Sequence, residues 1–404
     1  MRMIQIKNDV YNRDSKQVVF ALFVLLSFFF NSCAAQHTSN SLKVGAARTE
    51  LYLPILQGKN IGIVANPTSV IHGVHLVDTL LALGIPVKQV FAPEHGFRGE
   101  AEAGEHVDGG VDKKSGVKII SLYGDHKKPT KEDLKDLDYL IFDIQDVGAR
   151  FYTYISTLQY VMEAAAENKL PLLILDRPNP HGNYFDGPVL ENSQKSFVGM
   201  QQIPVVHGMT IGEYAMMLNG EFWLDDSLQC DVQVIKLLNW DRSKPYQLPI
   251  PPSPNLPNNI SIQLYPSLCL FEGTVVSLGR GTDLPFQCYG FPDNTTGDFE
   301  FTPRSIEGKS KHPPFENKLC KGFNLSRTEE LKNMNKLEIH WLIDAYSSYP
   351  NKEKFFIPFF DKLCGNTILK KQISAEWSES KIRLSWVDGL MKFEKIRSKY
   401  LMYP

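Results

Sequence analysis

The residues best suited to chemistry in this 404-residue chain stand directly behind short apolar runs. Ile61 to Ala65 is followed by Asn66, Pro67 and Thr68, and Val87 to Phe91 leads through Ala92 and Pro93 to Glu94, His95 and Arg98. Tyr139 to Ile144 carries Asp143 and runs on to Asp146 and Arg150, while Leu172 to Leu175 is followed by Asp176 and Arg177. Glu94 lies between Pro93, which stiffens the backbone, and Gly96, which permits a tight turn, with His95 and Arg98 as charge partners. A carboxyl in such a setting can have its pKa tuned for proton transfer. Arg150 and Arg177 carry forked donors that suit a carboxylate or polyol ligand, and equally suit ion pairs with Asp143 and Asp146. Those aspartates are candidate ligands or caps for a helix starting near Thr153. Thr210 and Glu213 have capping-box spacing, which leaves His207 as a candidate site residue. Glu272 and Arg280 sit among Gly273, Gly279 and Gly281, a density that fits backbone close to a ligand or a hairpin turn.

These residues share a position because of the elements that must carry them. The apolar runs, including Val117 to Leu122, recur about every 30 residues, the length of a βαβ unit, with helix-like segments such as Val74 to Leu83 and Thr153 to Asn168 between them. That beat belongs to βαβ units, whose crossovers force a parallel sheet covered by helices on both faces. A helix at Ile211 to Leu218 and a strand at Val232 to Leu237 complete a doubly wound α/β domain over residues 46–248. In such a sheet ligands bind beyond the carboxyl ends of the strands, where the polar residues above converge. Five prolines between Pro249 and Pro257 exclude helix and sheet interior and set the boundary to a smaller α+β domain, residues 249–404. There Ser261 to Leu264 is strand-like and a helix is expected around Leu337 to Tyr346.

Composition narrows the partners. With 43 Lys+Arg against 45 Asp+Glu, the net charge of -2 gives no field to hold nucleic acid or an anionic membrane surface. No G-x-G-x-x-G follows the first strand and no Walker A sequence occurs, so neither a nucleotide nor any other cofactor is expected. Metal ligation by His95, His106, Asp143 and Asp146 lacks the spacing of known metal motifs. At the amino end, Arg2, Lys7, Arg13 and Lys16 precede the apolar run Val18 to Phe30 and then Ser32-Cys33-Ala34-Ala35. This is the pattern of a secretory signal, residues 1–32, whose apolar run is too short to span a bilayer. Cys33 resembles a lipobox cysteine, the alternative being cleavage after Ala35; residues 33–45 form a linker. Five further cysteines, none in C-x-x-C spacing, read as buried small hydrophobes with room for one disulfide.

Several stretches together resemble the bacterial exo-β-N-acetylmuramidases of the NamZ type. They are PEHGFRGEAEAGEHV (Pro93 to Val107), FDIQDVGARFYTYISTL (Phe142 to Leu158), LDRPNP (Leu175 to Pro180), HGMTIGEYA (His207 to Ala215), PPSPNLP (Pro251 to Pro257) and FEGTVVSLGRGTDLPF (Phe271 to Phe286). The resemblance runs from about residue 46 to the C-terminus. It implies a Rossmann-like domain and a smaller second domain with a cleft between them, and release of N-acetylmuramic acid from the non-reducing ends of peptidoglycan fragments without a nucleotide cofactor. It places the first catalytic carboxyl at Glu94 and the second at Glu272. Such hydrolysis needs one carboxyl to protonate the leaving oxygen and another as base or nucleophile. Asn66, His95, Asp143, Asp146 and His207 are candidate substrate contacts; Arg98, Arg150, Arg177 and Arg280 are candidates to hold the lactyl carboxylate. An exported, periplasmic enzyme, lipid-anchored to the outer membrane and acting in cell-wall recycling, is the expectation. The alternatives are a non-catalytic wall-fragment binding lipoprotein and a metal-dependent hydrolase of another wall bond.

Overall fold

The computed structural model describes residues 41–98 and 109–404. The expected leader, linker start and lipidation residue Cys33, and also His106, lie outside the described residues. Among the described residues twelve strands follow in chain order: β1 (Ile61–Ala65), β2 (Val70–Ile71), β3 (Val74–His75), β4 (Val87–Ala92), β5 (Gly110–Val111), β6 (Lys118–Ser121), β7 (Tyr139–Asp143), β8 (Leu172–Leu175), β9 (Val232–Ile235), β10 (Cys288–Phe291), β11 (Phe299–Phe301) and β12 (Cys320–Asn324). Seven of them form one sheet in the order β5-β6-β4-β1-β7-β8-β9, parallel except for the short edge strand β5. Three more form an antiparallel sheet in the order β10-β12-β11, and β2 pairs with β3 as a small hairpin. This is the expected α/β fold with a smaller antiparallel part.

The central strands read as unbroken apolar runs because both faces of the sheet are covered. Val64, Phe91, Leu140, Phe142 and Ile174 point into one core, and their neighbours Ile63, Val90, Ile141, Leu173 and Leu175 into the core on the other face. The first core continues through the helix Tyr154–Glu167 into Tyr265, Phe271 and Phe286 beyond the proline-rich segment. The order switches direction at β1, which has β4 on one side and β7 on the other, and this is where an open parallel sheet leaves a crevice. In register, Val64 lies beside Phe91, and Ala65 beside Asp143. Asn66, Glu94 and Asp146 therefore leave the sheet at one rim.

Three local expectations change. Ser261 to Leu264 is not a strand but part of the helix Asn259–Leu268, which Asn258 and Ser261 start with reciprocal side-chain caps. Its alternating apolar residues mimicked a strand, and the cap decided the outcome. Val74 belongs to the hairpin, and the helix begins at Leu76, where the His75 ring accepts from the Val77 amide. The five described cysteines, Cys230, Cys269, Cys288, Cys320 and Cys364, are all buried free thiols, so no disulfide forms among them. The Thr210–Glu213 capping box is present at the helix Ile211–Gly220.

Candidate active site

β4 ends at Ala92, and the chain turns at once through His95 and Gly96, both left-handed at φ 72° and 77°, with the Gly96 amide donating to the Pro93 carbonyl at 3.0 Å. Glycine adopts that conformation freely and histidine at a cost, so the turn holds a strained residue directly beside Glu94. Glu94 is half-buried and accepts from Thr153 Oγ1 at 3.2 Å. It lines a cavity of about 140 Å³ together with Glu272 and Arg280. Glu272 reaches it from the short 3-10 turn Cys269–Gly273, which the helix Asn259–Leu268 runs straight into. Arg280 donates through Nε at 2.9 Å and Nη2 at 2.5 Å to the same oxygen, Oε1 of Glu272. Its guanidinium also sits 5.0 Å over the Phe286 ring.

Aromatic side chains close the remaining walls. Tyr152 packs edge-on against Tyr154 and against Tyr265, and Tyr265 against Phe286, with ring centroids 4.9 to 5.5 Å apart. The hydroxyls of Tyr152 and Tyr154 donate to the Pro252 carbonyl at 3.0 and 3.3 Å. The proline-rich segment is thereby tied across the cavity and contributes Ser253 and Asn255 to its lining. Burial pushes both phenols well above the usual tyrosine range, and the nearby negative charge of Glu94 adds to this, so both stay neutral donors. On the Glu272 side, burial and then the carboxylate raise the Cys269 thiol far above its ordinary value; it stays protonated and lies 3.5 Å from Oε2. Although burial opposes its charge, Arg280 is held more firmly protonated by Glu272.

Of the sequence candidates, the structure brings Glu94, His95, Glu272 and Arg280 to this cavity and leaves the others outside its lining. Arg150 is a correction: it is fully buried and donates to the carbonyls of Pro188, Ile203 and Leu363 at 2.7 to 2.9 Å. Arg177 is likewise committed to Asp143, with Nε and Nη2 at 2.6 and 2.9 Å from its two oxygens. That buried pair fixes the ends of β7 and β8 to one another and satisfies both side chains internally. Arg98 pairs with Asp112 and Asp78, and its guanidinium rests on Phe97. Asn66 turns its Oδ1 to the amide and hydroxyl of Thr68. Asp146 accepts from the Gly148 amide at 2.6 Å and lies 3.6 Å from His207, both deeply buried. Neither Asp143 nor Asp146 caps the helix Tyr154–Glu167, whose start carries no side-chain cap. Sequence reasoning passed over Tyr152, Thr153, Tyr154, Tyr265, Phe286, Ser253 and Asn255. The aromatic density of Phe151-Tyr152-Thr153-Tyr154, immediately after a strand-end loop, was the available signal.

The comparisons agree with this architecture. The family model described as "Exo-beta-N-acetylmuramidase NamZ, N-terminal" matches residues 61–260, and its C-terminal counterpart matches residues 263–403. A peptidoglycan beta-N-acetylmuramidase NamZ of Bacillus subtilis (strain 168) is 39% identical over 96% of this chain and 100% of its own length. Two solved DUF1343 family proteins of Bacteroides fragilis superpose with TM-scores of 0.84 and 0.74, at 48% and 29% identity. Each comparison covers 90% of this chain and 99% of the other. The chain belongs to the exo-β-N-acetylmuramidase NamZ family.

Proposed function

We propose that this protein is an exo-acting glycoside hydrolase that releases N-acetylmuramic acid from the non-reducing ends of peptidoglycan fragments. The observation that carries the reading is that Glu94 and Glu272, from opposite halves of the chain, line one small aromatic-walled cavity. At about 140 Å³ it is well below the roughly 300 to 1,000 Å³ of sites for drug-sized ligands, so it suits one terminal ring. The relative in Bacillus subtilis is named for the same bond.

In this mechanism Glu94 gives its proton to the glycosidic oxygen as the bond to the anomeric carbon breaks, and the leaving saccharide departs as an alcohol. Glu272 is the second carboxylate, acting at the anomeric carbon as base or nucleophile; water supplies the new hydroxyl, and its proton restores a carboxyl. Arg280 holds Glu272 in one rotamer and offers the positive charge nearest the cavity for the lactyl carboxylate of muramic acid. Tyr152 and Tyr154 keep the proline-rich segment over the site and limit the entry of water.

The leader pattern and Cys33 support export and lipid anchoring, with the enzyme on the periplasmic side of the outer membrane, where wall fragments arise. Incorporation of labelled fatty acid that is lost in Cys33→Ala tests the anchor. Incubation with a defined muramic-acid-terminated disaccharide, followed by mass analysis and NMR of fresh product, tests the reaction. Free N-acetylmuramic acid is expected, and cleavage of any other bond, or none, refutes the assignment.

A further inference from the structure

We infer that a second cleft beside the catalytic cavity binds the sugar on the far side of the scissile bond. The inference rests on the glycosidase reading above and specifies where its leaving group lies. The cleft, about 670 Å³, is bordered by Tyr160, Phe197, Phe222 and Trp223. Two elements line both spaces. The helix Tyr154–Glu167 shows Tyr154 to the cavity and Gln159 and Tyr160 to the cleft, and the loop after Lys195 shows Val198 to the cavity and Phe197 and Met200 to the cleft. Six residues of helix separate Tyr154 from Tyr160, about 9 Å at 1.5 Å per residue, a separation within reach of an oligosaccharide that starts in the cavity.

The chemistry of the cleft suits a sugar. Tyr160 and Phe197 stack on each other, 14° apart with centroids at 6.0 Å, and Lys127 Nζ lies 5.2 Å over the Phe197 ring, so the ring left open to a ligand is Phe222, 60% exposed at the rim. Aromatic faces of this kind take up the C–H face of a pyranose by burying apolar area. Beneath them runs a fixed hydrogen-bonded floor. Gln201 donates to Gln159 Oε1 at 3.0 Å and to the Trp223 carbonyl at 2.8 Å, and Gln159 in turn donates to Glu163 at 3.0 Å. Glu163 also accepts from the Asp225 amide and from Lys128. A buried polar network satisfied in this way is rigid before any ligand arrives. The rim turn is strained as well: Phe222, Asp226 and Ser227 all have φ between 51° and 55° without being glycine. Such strain concentrates at binding and catalytic sites.

The test compares two substrates on wild type and Phe222→Ala, a change at an exposed position that leaves the core intact. One substrate is a chromogenic muramoside with a small aglycone, the other a peptide-free muramic-acid-terminated tetrasaccharide. The ratio of kcat/KM for tetrasaccharide over muramoside is expected to fall about tenfold. A ratio unchanged within twofold overturns the inference and leaves the glycosidase reading standing. If wild type turns over neither substrate, the glycosidase reading fails, and tryptophan fluorescence titration with N-acetylglucosamine oligomers decides the cleft alone. A saturable change in wild type, weakened at least tenfold in Phe222→Ala, upholds it; equal responses, or none, overturn it.

Discussion

Arg280 and Glu272 meet side-on, with Nε and Nη2 of the guanidinium converging on one carboxylate oxygen at 2.9 and 2.5 Å while Oε2 lies beside the Cys269 thiol. The two oxygens of Glu272 are therefore distinct, and the ion pair sets which of them the cavity presents. A lysine delivers one point charge in place of the fork. Arg280→Lys is expected to keep the fold and to lower kcat/KM on a chromogenic muramoside by roughly 10- to 100-fold, about 1.4 to 2.7 kcal/mol in transition-state terms. Activity within twofold of wild type would remove the pair from the mechanism.

Among the described residues Glu94 accepts from a neutral hydroxyl, Thr153 Oγ1 at 3.2 Å, whereas Glu272 is ion-paired. That asymmetry fits the two carboxyls to different tasks and favours Glu94 as the proton donor. Proton transfer by a positioned carboxyl contributes roughly 10² to 10⁴ in rate. Glu94→Gln should lose that factor in kcat on a disaccharide, with an unchanged melting temperature and retained binding of muramic acid. Less loss on a substrate whose aglycone is a good leaving group would identify the missing function as acid catalysis, because such a group departs without a proton.

Much of this was legible in the chain, and for a physical reason. A strand buried on both faces must be apolar throughout, so the βαβ beat and its polar strand ends stand out, and Glu94 and Glu272 follow from them and from the family motifs. The arginines misled because a fork that fits a ligand carboxylate also fits Asp143, or three carbonyls, and sequence carries no distances. Arg177 and Arg150 took those internal partners. The strand-like Ser261 to Leu264 was settled by the cap at Asn258, a signal as local as the alternation it overruled. The aromatic walls went unnoticed because Tyr265 and Phe286, which touch Tyr152 directly or through each other, lie more than a hundred residues along the chain.

Asp176 gives the fold a pH dependence of definite sign. It is fully buried at the end of β8 and accepts from Tyr403, Thr210 and the Gly212 amide, tying the C-terminal residues to the sheet. Burial is the leading cause that raises its carboxyl from 3.8 to about 6, outweighing those hydrogen bonds. The folded state thus binds the proton more tightly than the unfolded chain. Its contribution is complete below about pH 4 and is lost as the pH rises toward 6, on the order of 2 to 3 kcal/mol. Thermal melting of wild type against Asp176→Asn between pH 4 and 7 should show this slope in wild type and a flatter profile in the variant. Parallel profiles would refute it.

Arg150 supplies the last prediction, one of stability rather than catalysis. Its charge is buried with carbonyl partners only, and burial lowers its pKa to about 10. Two of those carbonyls, Pro188 and Ile203, belong to the main α/β part, and the third, Leu363, lies in the second part of the chain, so the side chain joins the two. Removing it strands the Pro188 and Leu363 carbonyls, while that of Ile203 keeps the Leu190 amide, and it opens a void; each unsatisfied group costs about 1 to 3 kcal/mol. Arg150→Ala is therefore expected to lose about 3 to 5 kcal/mol, seen as a lower urea midpoint, while the protein that remains folded keeps its KM for the muramoside. A raised KM at unchanged stability would instead return Arg150 to the substrate, as the forked-donor reading of the sequence had it.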